Sequence, residues 1–232
     1  MRRRFATSGW IAAGVTAVGL AASPAMASTI TFDQTLDSGT IFYGGTGGAM
    51  TGSGITIQTI SPSLVDPPPF NPAVDLVCGG CVLDFTTGTN VSEGPAEWVF
   101  NGGGSFTIMG GVLALGIPGG STLLSGSFIG NVTADLTGAG TLIISGAGLD
   151  FKHPKIVDFY FGIVVPPPPD NDIFLFTNTE ITATPSMSPT EPGGFTALVT
   201  EADVTNRLPE PGSALLLLLG LGSLAAYRTR RS

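Results

Sequence analysis

Apolar and polar residues alternate with a period of two in several short stretches of this chain. Ile55-Thr56-Ile57-Gln58, Ser105-Phe106-Thr107-Ile108, Asn131-Val132-Thr133-Ala134-Asp135-Leu136 and Glu180-Ile181-Thr182-Ala183 all show it. Successive side chains of a strand point to opposite faces, so each stretch predicts a half-buried β-strand. Denser apolar runs at Thr141 to Ile144, Ile156 to Val165 and Ile173 to Phe176 predict strands buried on both faces. Glycine-rich breaks at 44–48, 102–104 and 138–140 separate these runs at turn-like spacing. No sustained helical repeat appears between Ser28 and Leu208, where Lys, Gln and Arg are scarce and Gly, Thr and Ser abundant. The pattern predicts an all-β fold, a single β-sandwich or jelly-roll-like domain over 28–208. Proline clusters at 67–69 and 166–169 predict stiff, extended connectors. The roughly 39 residues after the second cluster are too few to hold a core alone, so their strands are expected to return to the same domain.

The two ends of the chain follow a different pattern. Arg2, Arg3 and Arg4 precede an apolar stretch, Trp10 to Ala22, of the length of a signal-peptide core. Ala25 and Ala27 then place small residues at both positions that signal peptidase reads, predicting cleavage before Ser28 and a signal peptide over 1–27. At the other end, Ala214 to Ala226 is uncharged and contains seven leucines. A helix of that length covers only ~20 Å, short of the ~30 Å hydrocarbon core. It is expected to insert in the inner membrane as a marginal anchor, with Arg228, Arg230 and Arg231 held on the cytoplasmic side as a stop. Pro209-Glu210-Pro211 then stands at the outer face. Both prolines keep the preceding backbone extended, and an extended peptide at a membrane surface suits a membrane-bound protease.

This succession over 209–232, a Pro-Glu-Pro motif, an apolar helix and a basic tail, resembles the PEP-CTERM sorting signal. The resemblance implies an exosortase as processing partner, Pro209, Glu210 and Pro211 as its recognition element, and a Gram-negative source that makes exopolysaccharide. Leu208 to Gly212 is also similar to the LPxTG signal of Gram-positive sortases, but Pro211 stands where that motif has the threonine whose carbonyl is attacked.

Charge narrows the partners. Between 28 and 208 only Lys152, Lys155 and Arg207 are basic, against sixteen Asp and Glu, a net charge of −13. Such a domain is repelled by nucleic acid and by an anionic membrane surface, which excludes both as partners of the domain itself. The same acidity keeps an exported protein soluble.

Few residues suggest chemistry. Cys78-Gly79-Gly80-Cys81 lacks the βαβ context of a redox pair, and two Cys with one His fall short of a structural zinc set. The reading that fits an oxidising compartment is a local disulfide pinning a turn, with free thiols or a metal as the alternatives. His153 is the one histidine; with no G-x-S-x-G elbow present, it reads as surface, in an exposed Lys-His-Pro-Lys turn. Asp170-Asn171-Asp172 fails the spacing of an EF-hand and reads as a solvated turn. The glycine runs match no nucleotide-binding loop, and no cofactor is called for. The expectation is a non-enzymatic, exported cell-surface or extracellular-matrix protein, structural or adhesive and associated with exopolysaccharide. The alternatives are a secreted carbohydrate-active enzyme using paired carboxylates, and a Ca²⁺-dependent adhesin.

Overall fold

The computed structural model describes residues 29–34, 36–45, 47–62, 74–161, 175–187 and 193–207. In chain order they form β1 (Thr29–Asp33), β2 (Thr40–Tyr43), β3 (Ala49–Pro62), β4 (Leu76–Glu93), β5 (Glu97–Phe100) and β6 (Gly103–Val112). A 3₁₀ turn (Leu113–Leu115) follows, then β7 (Ile117–Phe128), β8 (Val132–Leu136), β9 (Leu142–Lys152), helix α1 (Pro154–Phe161), β10 (Leu175–Met187) and β11 (Phe195–Arg207). The expected all-β class holds.

Every pairing is antiparallel, and the pairings close on themselves. β3 pairs with β4; the first half of β4 pairs with β6 and its end with β5. β6 leads through β7, and β5 through β8, to the two halves of β9. From β9 the ladder continues to β10 and β11. The end of β11 pairs with β1 and its start with β2, and both short strands pair with β3. One continuous sheet therefore forms a ring, and opposite walls face each other across one core as the layers of a sandwich do. Closure pairs most of the strand edges within the sheet; among the described residues, the first half of β7 and the end of β10 keep a partner on one side only.

Inward positions follow the alternation. Along β9, Leu142, Ile144, Gly146, Gly148, Asp150 and Lys152 all face in. Glycines on this face make room for aromatic rings: Gly52 is the register partner of Phe85 and Gly126 of Phe106. A methyl group at Gly52 would lie 2.0 Å from the Phe85 ring. Phe106 and Phe85 both pack against Phe128, at ring separations of 5.0 and 6.3 Å. One mouth of the ring is filled by Tyr43, Trp98, Phe100 and Phe195, with Trp98 Nε1 donating to the Gly193 carbonyl at 2.9 Å. The Tyr43 hydroxyl donates to Glu93; burial first, then that carboxylate, pushes its ionisation well above the ordinary tyrosine range.

The other mouth is plugged by α1, and here a sequence expectation is corrected. The run from Ile156, expected as a buried strand, begins as helix. Pro154 has the fixed φ suited to a first helical position, and the backbone of His153 accepts from Ile156 and Val157. Ile156, Val157 and Tyr160 are buried on one face while Lys155 and Asp158 are exposed. Two turns are too few for that periodicity to outweigh the run's apolar density. The Tyr160 hydroxyl donates to the carbonyls of Ile60 and Val74, tying the plug to the end of β3 and the approach to β4.

Candidate functional site

The outer surface over β3, β4 and β6 presents a shelf of short polar side chains. Thr51 is the register partner of Thr86, Thr86 of Ser105, and Asp84 of Thr107. With Ser53 they line a hollow of about 300 Å³. The Gly54 N–H donates to Asp84 Oδ1 at 2.9 Å, which holds the carboxylate in place. Hydroxyls that both donate and accept, around one fixed acceptor, can hydrogen-bond a polyhydroxylated chain. His153 lies at the start of α1 and not among the residues that line the shelf. A second hollow, of about 390 Å³, lies beside the loop from β1 to β2 and is lined by Asp37, Ser38, Thr40 and Leu198. Buried Gln34 braces that loop by donating to the Leu36 and Ser38 carbonyls at 2.7 and 3.0 Å; among the described residues its Oε1 has no partner.

Beneath the α1 plug lies an ion pair that the sequence reading did not anticipate. Asp150 and Lys152 share the inner face of β9, and the Lys152 ammonium donates to Asp150 Oδ1 with both side chains fully buried. Burial lowers the Lys152 amine to about 8, against the opposing pull of Asp150. Strict alternation from Leu142 was the available signal, since it carries both residues inward. The adjoining His153, expected in an exposed turn, instead opens the helix. Its Nδ1 accepts the Lys155 N–H at 3.3 Å, which requires that nitrogen unprotonated. Desolvation and then the Lys155 charge lower its ionisation below the ordinary range. Lys155 itself reaches back to the Leu115 and Gly116 carbonyls at 3.0 Å each.

Cys78 and Cys81 sit within β4 rather than at a turn. Residues three apart on a regular strand face opposite ways. Here the register shifts between Gly79 and Val82, and Gly80 adopts φ 61°, so a bulge restores both cysteines to the inner face. Their sulfurs are joined as a disulfide, with Cα atoms 5.6 Å apart. The loop it closes is so small that the chain-entropy account gives about 2 kcal/mol. Replacing both cysteines by alanine is expected to lower stability by that amount, read as an earlier urea midpoint with an unchanged slope.

The remaining site residues, Ala25 and Ala27 of the signal site, Pro209, Glu210 and Pro211 of the sorting motif, and Arg228, Arg230 and Arg231 of the basic stop, lie outside the described residues, as does Asp170-Asn171-Asp172. Among the described residues no helix is long and apolar enough to cross a membrane, and no group of three His, Cys, Asp or Glu converges as a metal set. Carboxylates do meet in pairs: Glu97 is the register partner of Asp135, and Asp33 of Asp203. The first pair is exposed and lies outside both hollows. No known protein family, curated protein or solved structure matches the chain.

Proposed function

We propose that this chain is an exported surface or matrix protein. Its N-terminal signal is removed by signal peptidase, and its C-terminal run anchors it transiently in the inner membrane until an exosortase-like enzyme cuts at the proline-flanked glutamate. The sandwich-like domain then acts as a structural or adhesive module on exopolysaccharide, through the hydroxyl shelf around Asp84. The observation that carries the reading is the 209–232 tail, whose motif begins two residues beyond the last strand. Supporting it are the net acidity, which suits life outside the cell, and a shelf whose chemistry matches sugar hydroxyls.

The test follows an epitope-tagged chain in cells with an active exosortase, comparing the parent with Glu210→Ala. The parent should lose its tail and leave the membrane fraction, while the variant keeps both. Equal processing of the two, or a parent that retains its tail, would refute the sorting role. The carboxylate-enzyme alternative separates from this one by its readout, since it requires the purified protein to shorten a glycan chain.

A further inference from the structure

The two hollows on the outer surface are neighbours, and the short strand β2 lies between them. Thr40 lines the hollow beside the β1–β2 loop, and its register partner Ser53 lines the shelf. Their hydroxyls meet at 3.5 Å. Two residues along β2, on the same face, Phe42 is the partner of Thr196 on one side and of Thr51 on the other. Register carries the row onward through Thr86 to Ser105. Thr196, Phe42, Thr51, Thr86 and Ser105 thus stand side by side on β11, β2, β3, β4 and β6. A second row beside it starts with Leu198, Thr40 and Ser53 and, past a register shift in β3, resumes with Asp84 and Thr107. Neighbouring strands are about 4.8 Å apart, so the five strands carry each row across roughly 19 Å of surface.

Two kinds of group interleave along these rows. Among the described residues, the hydroxyls of Thr86, Ser105 and Thr107 make no hydrogen bond within the protein and are open to a ligand. Phe42 and Leu198 are 55 % and 63 % exposed. Other apolar side chains are exposed elsewhere on the ring, but these two alternate with hydroxyls across the strands of both hollows. A sugar ring has C–H groups on its faces and hydroxyls at its rim, so it takes apolar and hydrogen-bonding partners in just such alternation. Charge is one-sided. Asp37 in one hollow and Asp84 in the other are the ionisable residues that line them. β2, β3, β4 and β6 contain no Lys, Arg or His. A glycan bearing carboxylates, sulfates or phosphates would meet like charge there and no counter-charge.

We propose that the two hollows form one track for an extended, uncharged polysaccharide laid across the strands from β11 to β6, an assignment that rests on the adhesive reading of the shelf given above. Phe42 and Leu198 take the C–H faces of sugar rings, and the Thr and Ser side chains bond their hydroxyls. Asp84, steadied by the Gly54 N–H, accepts from one sugar hydroxyl. Three things are added to the shelf alone: the second hollow, a ligand of several linked sugars, and discrimination against anionic glycans.

The test presents the full chain, purified in a polyoxyethylene detergent that carries no sugar, to two sets of immobilised polysaccharides. One set is uncharged (a cellulose-type glucan, a galactomannan and dextran) and the other bears uronates (alginate and hyaluronan). Thr86→Ala, Phe42→Ala and Leu198→Ala are compared with the parent; all three side chains are exposed, so an unchanged Tm checks that each variant is folded. The parent should retain a member of the uncharged set in preference to the uronates, and each variant should weaken that binding about tenfold. Thr86→Ala weakening the binding while Phe42→Ala and Leu198→Ala leave it unchanged overturns the track and leaves the shelf reading standing. Preference for the uronates overturns the charge assignment. Binding that none of the three variants weakens, or no polysaccharide retained at all, overturns the track and the shelf together.

Discussion

Replacing Asp150 by alanine is expected to lower the free energy of unfolding by about 3–5 kcal/mol, the range for leaving one member of a buried pair uncompensated. For a domain of this size that is a fall in Tm of roughly 10 °C or more. The charge left behind belongs to Lys152, which is fully buried and faces the apolar interior beside the α1 plug. The double variant Asp150→Leu/Lys152→Met is expected to recover the parent's stability, because it removes both desolvated charges at once. A single variant as stable as the parent would show that the pair contributes nothing. The pH dependence gives an independent check. With its amine lowered to about 8 from 10.5, Lys152 holds fewer protons in the folded chain than in the unfolded chain across that interval. Its destabilising contribution is full below the lower value and fades as pH rises toward the upper one. The parent should therefore gain stability between pH 8 and 10 and Lys152→Met should not. Tyr43 and Tyr160, both held protonated by burial, pull the other way only above the ordinary tyrosine value of 10.0.

Gly110→Ala is expected to cost about 3 kcal/mol, at the upper end for overpacking a filled interior. Gly110 on β6 faces inward against the bulge of β4. An added methyl would lie 2.2 Å from Cys81 Sγ and 2.6 Å from Cys81 Cα. Because one of those atoms is backbone, removing the sulfurs does not relieve the collision. In a Cys78→Ala/Cys81→Ala background the glycine substitution should still cost most of its effect, measured as the difference between two urea midpoints. Full rescue in that background would mean that only the disulfide stands in the way.

The alternation at Ile55, Phe106 and Val132 was enough to read the fold class, because a half-buried strand writes its period directly into the chain. The glycine breaks likewise marked the connections before β3 and β9. Ring closure was not legible: the partners Thr29 and Arg207 are brought together by the summed twist and stagger of the whole sheet, which no local window contains. Helix α1 was hidden because two turns with three apolar anchors look like any dense hydrophobic run. The Cys78-Gly79-Gly80-Cys81 motif could be seen, but its place within a strand could not, since the bulge depends on the neighbours β3 and β6. The Asp150–Lys152 pair was not anticipated for a simpler reason. Charge suggested solvent, whereas position on β9 dictated the interior, and the fold followed position by pairing the two charges. The tail proposed as a sorting signal, by contrast, lies outside the described residues and is read from sequence alone.

Because β1 is sealed into place by β11, the earliest part of the domain to be synthesised must wait for the latest. Thr31 and Thr205, 174 positions apart, touch through their hydroxyls, and contacts so distant in the chain form slowly. On the proposed export route, a chain threaded outward head first cannot complete its ring while any of this domain remains inside the cell. By the time the seam zips shut, the leucine stretch is next in the queue. On that proposed route, folding and arrest then coincide, and a half-delivered molecule stays pliable enough to keep moving.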